Sequence, residues 1–534
     1  MFTQRSSQLS MYQADVEYLD RVGRDSFYGR LAQARPHLFH DDDFASLYCP
    51  DNGRPSVPPS LLALALLLQA HDKVSDSEAI DRANFDIRWC VALGIECASN
   101  PFAKSTLQLY RAQLLLHEQV GAIFQASIEE AKRNGLLRGK LRTIAVDTTP
   151  IFGKGAVKDT YNLLATGIVM LVRALAAQAR FEPGAWAMKH DLHRYFGSSI
   201  KGEAAIDWDD KAQRRAFLAG IVGDARRLLV IARQVRSELA PDDPVSEAIK
   251  QAAELVCQLL VQDIETGEDG QPQIKDGVAV DRMASVTDPE LRHGRKSKRT
   301  RFDGHKGAIA VDVETGLITA AEVIAGNAPD NENTLALVEG TERNCDCEVD
   351  KTIGDCAYGD GATRQQFVDA ERELVARVPA RPSGQLSKDE FVIDRDNDCV
   401  TCPAGHTTST LVSKSRNDET GRQFMFPAET CAACPLRPQC VKSKSGGRTI
   451  TVHPQEALLQ QARAYQSSDE GRVDLRCRQV VEHRIARLVQ LGIRQSRFIG
   501  RYKTRFQLLL AAAVANLTLI WSAPQRQKMQ LQAC

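Results

Sequence analysis

One short strand, and the long stretch that separates it from any strand partner, constrain this chain most. Residues 143–147, TIAVD, are an apolar run ending in an acid, the pattern of a buried strand that finishes at a functional edge. Helical spacing follows across 159–265, including the Arg-rich segment Gln213 to Arg236, with almost no strand signal. Strand pattern resumes at Gly307 to Val313, turns at Glu314-Thr315-Gly316 and returns through Leu317 to Ala325, which predicts a hairpin. A helix over Glu332 to Gly340, a strand ending at Asp355, a helix over Ala362 to Glu373 and a strand over Leu374 to Pro379 come next. A polar, cysteine-bearing segment, 381–450, then interrupts before the final helices from about Arg472 to Trp521.

With the helical insertion (159–265) and the cysteine-rich insertion (381–450) set aside, the order is strand, hairpin strands, helix, strand, helix, strand, helix. That is the order of a ribonuclease-H-like α/β fold with a mixed sheet. In such a fold the first and fourth strands are neighbours and the last helix packs across the sheet, so distant acids can converge. The candidates are Asp147 at the end of the first strand, Asp355 at the end of the fourth, and Glu482 in the final helices. Carboxylates held together repel one another unless cations compensate, and in phosphoryl transfer that compensation is a pair of Mg²⁺ ions.

Each acid also has a plainer reading. Asp147 fits a strand-ending residue that caps its own turn, and Asp355 belongs to a loop-like cluster with Gly359, Asp360 and Gly361. Glu482 shares a helix face with Ile485 and Val489, which predicts an inward-looking acid in need of a partner, either a metal or Arg478 one turn earlier. An ordinary surface ion pair with Arg478 is the alternative. A common edge explains all three at once, whereas separate turn and surface roles do not require this order.

At 534 residues, 43% of them hydrophobic, the chain is expected to form two units, a helical one over 1–136 and a catalytic one over 137–534. In the first, Pro58 and Pro59 open an apolar helix, Ser75 and Glu78 have capping-box spacing, and Gly135 closes a run that begins near Ser105. Such helices suit either a helix-turn-helix contact with DNA ends or simple packing. The apolar runs Leu61 to Leu68 and Leu508 to Ile520 fall short of the roughly 20 residues a membrane span needs. The start, MFTQRSSQLSMYQ, lacks the pattern of an export signal, so a cytoplasmic protein is expected.

Lysine plus arginine number 68, as do aspartate plus glutamate, so attraction to a polyanion must come from local clusters. One runs through Arg292, Arg295, Lys296, Lys298, Arg299, Arg301 and Lys306, and another through Arg484, Arg487, Arg494, Arg497, Arg501, Lys503 and Arg505. Both flank acid-bearing elements, as phosphate-positioning residues should, although a charge run can also be a solvated face. Of the 14 cysteines, Cys399, Cys402, Cys431, Cys434 and Cys440 crowd into the second insertion, with two pairs at the two-residue gap of a zinc knuckle. Reduced, unliganded thiols are the alternative, and any zinc held by four thiolates would be structural.

At these residues the chain resembles a bacterial insertion-sequence transposase of the DDE type, within the group numbered eleven eighty-two. The resemblance runs through VPPSLLALALLLQAHDKVSDSEAIDR, AVDTT, RFDGHKGAIAVD, IGDCAYGD, the cysteine segment and RQVVEHRIARL. It implies that Asp147, Asp355 and Glu482 are catalytic acids binding two Mg²⁺ or Mn²⁺ ions, and that Arg478 belongs to the signature around the third acid. Leu475 and Val489 stand where that signature has Tyr and Lys, and Arg487, Arg494 or Lys503 could take over their DNA contact. The same resemblance favours Cys402, Cys431, Cys434 and Cys440 as zinc ligands, with Cys399 as a possible substitute. It implies cleavage and strand transfer on double-stranded DNA, with terminal inverted repeats and a target, by a homodimer or larger assembly and without a membrane. A nuclease that cuts without joining, and a DNA-binding regulator with idle acids, are the rivals.

Overall fold

The computed structural model describes residues 2–5, 13–49, 52–240, 242–279, 281–297, 299–378, 386–412 and 422–532. Helices come first: α1 (Ala14–Val22), α2 (Phe27–Leu38), α3 (Pro59–Asp72), α4 (Asp76–Phe85), α5 (Ile87–Leu93), α6 (Lys104–Leu116) and α7 (Ala122–Arg133). Pro59 sits in the first turn of α3, where a missing N–H costs nothing, and the Leu61 to Leu68 run is buried on all sides. Ser75 caps α4 by accepting from the Glu78 N–H at 3.2 Å. The expected run from Ser105 to Gly135 is two helices, because the chain breaks between His117 and Gly121.

The strand β1 (Leu141–Phe152) follows, and then helices α8 (Thr160–Gln178), α9 (Pro183–Lys189), α10 (Lys211–Ser237) and α11 (Pro244–Asp263) pack around a hydrophobic cluster of their own. A small hairpin, β2 (Ile264–Thr266) and β3 (Pro272–Ile274), leads back toward the sheet. The sheet is then built from β4 (Arg292–Arg295), β5 (Arg301–Asp312), β6 (Ile318–Ala325), helix α12 (Thr334–Cys345), β7 (Glu348–Gly354), helix α13 (Gly361–Asp369) and β8 (Glu373–Ala376). β6 lies outside β5, followed inward by β1, β7 and β8, while β4 pairs with the first residues of β5. β1 is antiparallel to β5 and parallel to β7, so the first strand and the fourth are neighbours across this mixed sheet.

The cysteine-bearing segment carries β9 (Val392–Asp394), β10 (Cys399–Thr401), β11 (Thr407–Thr408), β12 (Arg422–Met425), α14 (Ala428–Ala432), α15 (Arg437–Cys440) and β13 (Thr449–Val452) around a small separate core. Helices α16 (Glu456–Ser467), α17 (Asp469–Cys477), α18 (Gln479–Gln490) and α19 (Arg501–Gln532) close the chain.

Side chains alternate across the sheet with period two. Ile144, Val146, Ala308 and Ala310 face α12 and α13, whereas Ala145, Ile309, Val311 and Ile353 face the layer of N-terminal and C-terminal helices. That second layer is one continuous core, so the N-terminal helices share their interior with α19 and the sheet and do not close off a separate one. Two helices, within α8 and α19, are long and apolar enough to cross a membrane; their apolar windows are 56% and 83% buried inside the protein. Within α19 the fully buried Asn516 accepts from the Ile318 N–H at 2.9 Å and donates to the Ile318 carbonyl at 2.8 Å, fastening the helix to β6.

Candidate active site

Register and parity bring the acids together. β7 runs beside β1 with Ile353 opposite Ala145, so two residues further on Asp355 leaves β7 at the level of Asp147. Both acids share the parity of Ala145 and Ile353, and therefore point to the face covered by α18. Asp147 does not end its strand, as the sequence suggested. β1 continues to Phe152 because Thr148 to Phe152 keep pairing with β5 after β7 has stopped. The functional edge is thus the end of β7, with β1 running past it. Asp355 also caps the short turn Cys356–Tyr358, accepting from the Ala357 N–H at 2.8 Å.

Arg478, at the junction of α17 and α18, joins the distant pieces. Its Nη1 lies 3.2 Å from Asp147 Oδ2, and its Nη2 pairs with Glu482 one turn along. Glu482 is 55% exposed, which corrects the expectation of an inward acid. The buried stripe of α18 is Val481 and Leu488, with Ile485 half-buried, and Glu482 stands at its rim about 100° from Val481. Of the two signature positions that depart from the expected Tyr and Lys, Leu475 is buried and Val489 packs against the core.

Burial pushes the Asp147 carboxyl up to about 6. The Thr148 N–H and the Arg478 charge act in the opposite direction, and the charges of Asp355 and Asp330 add to the rise. Asp330 was not singled out from sequence. It accepts from Thr148 Oγ1 at 2.8 Å and pairs with Lys306 Nζ at 2.8 Å, and Lys306 also donates to the Ala328 carbonyl at 2.6 Å. No local signal marked Asp330: the pairing that sets Lys306 opposite Pro150, two residues beyond Thr148, is the long-range one between β5 and β1. Tyr358, fully buried, packs with Ile144 and Val146 on the other face of the sheet, and its hydroxyl has no hydrogen-bond partner among the described residues. Burial raises its pKa well above the usual phenol, and Asp147, Asp330 and Asp355 add to that.

Among the described residues, no group of three or more His, Cys, Asp or Glu side chains is arranged to hold a metal ion as it stands. The donor chemistry nevertheless fits a hard divalent cation: carboxylate oxygens raise one another's proton affinity, and a guanidinium supplies the compensating charge between two of them.

The candidate cations divide into two sets. Arg295, Lys296 and Arg299 are exposed at the end of the β4–β5 ribbon, where Arg295 stands directly opposite the equally exposed Arg301. Like charges across a ribbon are unfavourable without an anion nearby. Lys298 lies outside the described residues. Lys503 is exposed on α19. The others have partners within the protein: Lys306 is buried on Asp330, half-buried Arg494 donates to Thr149 Oγ1 and the Pro150 carbonyl, the exposed Arg497 donates to the Val74 carbonyl at 2.9 Å, and the exposed Arg501 pairs with Glu290 at 3.0 Å.

Cys402, Cys431, Cys434 and Cys440 line one small cavity together with His406, and Cys399 is not among its lining residues. Burial pushes the Cys440 thiol up, Arg448 opposes, and the nearby Cys431, Cys402 and Cys434 add to the rise. The Arg448 N–H donates to Cys431 Sγ at 3.4 Å.

Two families match parts of the chain. Residues 401–521 match a family described as Transposase DDE domain, and residues 16–113 match one described as Transposase domain (DUF772). The first stretch carries Arg478 and Glu482 and most of the cysteine segment; a DDE domain implies a ribonuclease-H-like fold, in keeping with the mixed sheet. No curated protein and no solved structure matches significantly.

Proposed function

Its two transposase-domain matches mark the chain as an insertion-sequence DDE transposase, and on that premise we propose that it cleaves double-stranded DNA at the ends of an insertion sequence and joins them to a target. Asp147, Asp355 and Glu482 are the acids that would hold two Mg²⁺ or Mn²⁺ ions. When bound, such ions supply activation of the attacking hydroxyl and stabilisation of the leaving oxygen in an in-line displacement at phosphorus. The observation that carries the reading is Arg478 bridging Asp147 and Glu482, residues far apart in sequence, beside a β7 end that delivers Asp355 at the same level.

The protein's own groups then have distinct tasks. Asp147, largely buried on a rigid central strand, fixes the position of the site. Arg478 contacts both Asp147 and Glu482 and so links the helix-borne acid to the strand-borne one. The β4–β5 ribbon, with Arg295, Lys296 and Arg299, grips DNA phosphates, and Lys503 lies on a further exposed surface for them. The N-terminal helices contact the terminal repeats. The cysteine segment is a structural zinc module held by Cys402, Cys431, Cys434 and Cys440. The active form is a homodimer or larger assembly on DNA, working in the cytoplasm.

The test uses linear DNA carrying the element's ends, Mg²⁺ and a target plasmid. Asp147→Ala, Asp355→Ala and Glu482→Ala should each abolish cleavage and joined products while end binding persists. Wild-type cleavage by any of the three would overturn the assignment, and cleavage without joined products would make the protein a nuclease of the same fold.

A further inference from the structure

Asp330 sits in the loop between β6 and α12, yet it is anchored to the active strand. Both of its side-chain contacts, from Thr148 Oγ1 and from Lys306 Nζ, fall on Oδ1 at 2.8 Å. Thr148 is the residue after Asp147, and Lys306 is buried with a charge that needs a partner. The next residue, Asn331, donates from Nδ2 to Asp360 Oδ2 and to Thr363 Oγ1, each at 2.6 Å. That pair of bonds docks the Asp330 loop on the turn that follows Asp355. The loop is therefore pinned at two points, one beside each strand-borne acid.

A carboxylate whose role is only to neutralise Lys306 gains nothing from this location or from solvent access. Asp330 keeps both: its side chain is 33% exposed, and among the described residues its hydrogen bonds fall on Oδ1 and not on Oδ2.

We propose that Asp330 is a fourth acid of the site, with Oδ2 offered to the divalent ion shared by Asp147 and Asp355, and with Lys306 and Thr148 holding Oδ1 in place. The inference rests on the transposase reading above. Lys306 orients Asp330 in the way a hydrogen-bonded outer group orients a metal-binding carboxylate.

The experiment is Mn²⁺ binding to the full, DNA-free chain, followed by titration calorimetry and by the electron paramagnetic resonance signal of free Mn²⁺. Asp330→Asn keeps an acceptor for Thr148 and Lys306 and should weaken Mn²⁺ binding at least about 10-fold; because it leaves the buried Lys306 charge uncompensated, it should also lower the unfolding temperature, which the double variant restores. Lys306→Met loosens the hold on Oδ1 but leaves Oδ2 and the Thr148 contact, so it should weaken Mn²⁺ binding less than Asp330→Asn does. The double variant Asp330→Asn, Lys306→Met removes both charges of the pair, and should bind as weakly as Asp330→Asn. Wild-type Mn²⁺ affinity in either Asp330→Asn chain would overturn the proposal, because Asp330 would then serve Lys306 alone. Asp147→Asn is the separate check: if it binds Mn²⁺ as the wild type does, the underlying reading of the site fails, and the fourth acid with it.

Discussion

Asp147 should make the metal-free protein less stable at neutral pH than at mildly acidic pH, and Asp147→Asn should remove that penalty. The folded carboxyl keeps its proton up to about 6, whereas the unfolded chain releases it near 3.8. Between those values the folded state binds more protons, so stability falls as pH rises through the window and stays low above it. At about 1.4 kcal/mol per pH unit, the ionised form costs about 3 kcal/mol at pH 7.5. The side chain is 20% exposed, so solvent screening removes little of this. Asparagine resembles the protonated acid: it still accepts from the Thr148 N–H and carries no charge against Asp355 and Asp330. In EDTA at pH 7.5 the variant should therefore unfold later than wild type, on the order of 3 °C if the chain melts in one transition. The gap should close as pH drops to about 4. Thermal unfolding of both proteins from pH 4 to 7.5 measures it. A variant less stable than wild type at pH 7.5, or a gap that ignores pH, would refute the reasoning.

Three further outcomes follow from particular contacts. Asn516→Leu strips both backbone groups of Ile318 of their partner in a buried position and should destabilise the protein by about 2 to 5 kcal/mol in denaturant unfolding; a loss below about 0.5 kcal/mol would mean the strand finds other partners. Replacing Arg295, Lys296, Arg299 and Arg301 with alanine should weaken DNA binding and lower the slope of log affinity against log salt by about 3 to 4, with unfolding unchanged because all four are exposed; an unchanged slope removes the ribbon from the DNA interface. Cys434→Ser should lose one bound zinc per chain by metal analysis and expose the cysteine segment to protease, while Cys399→Ser, outside the cavity, should keep both properties; equal losses in the two variants would overturn that ligand choice.

Much of the sheet was readable from the chain because strands and hairpins leave local marks. The turn at Glu314-Thr315-Gly316 has Gly316 at φ 73°, where a residue without Cβ is favoured, and the flanking strands appear where alternation put them. The uninterrupted apolar run of α3 gave its burial in the same way. Asp330 and Lys306 were harder to see. Lys306 reads as one more cation in a basic stretch, and only its pairing across β1 and the fold of the β6–α12 loop turn it inward. Glu482 was misjudged because two apolar neighbours on its helix were taken as its surroundings, whereas the buried stripe is centred on Val481 and Leu488.

Period-two alternation by itself decides that Asp147 shares a face with Ala145, and helical spacing decides that Arg478 and Glu482 stand one turn apart, since both depend on residues close together in the chain. Which strand lies beside β1, the register that levels Asp355 with Asp147, and the merging of the N-terminal helices into the core of α19 are decided only in three dimensions. Those pairings join segments hundreds of residues apart, and they are chosen by the burial summed over the whole core, a quantity no local stretch of sequence contains.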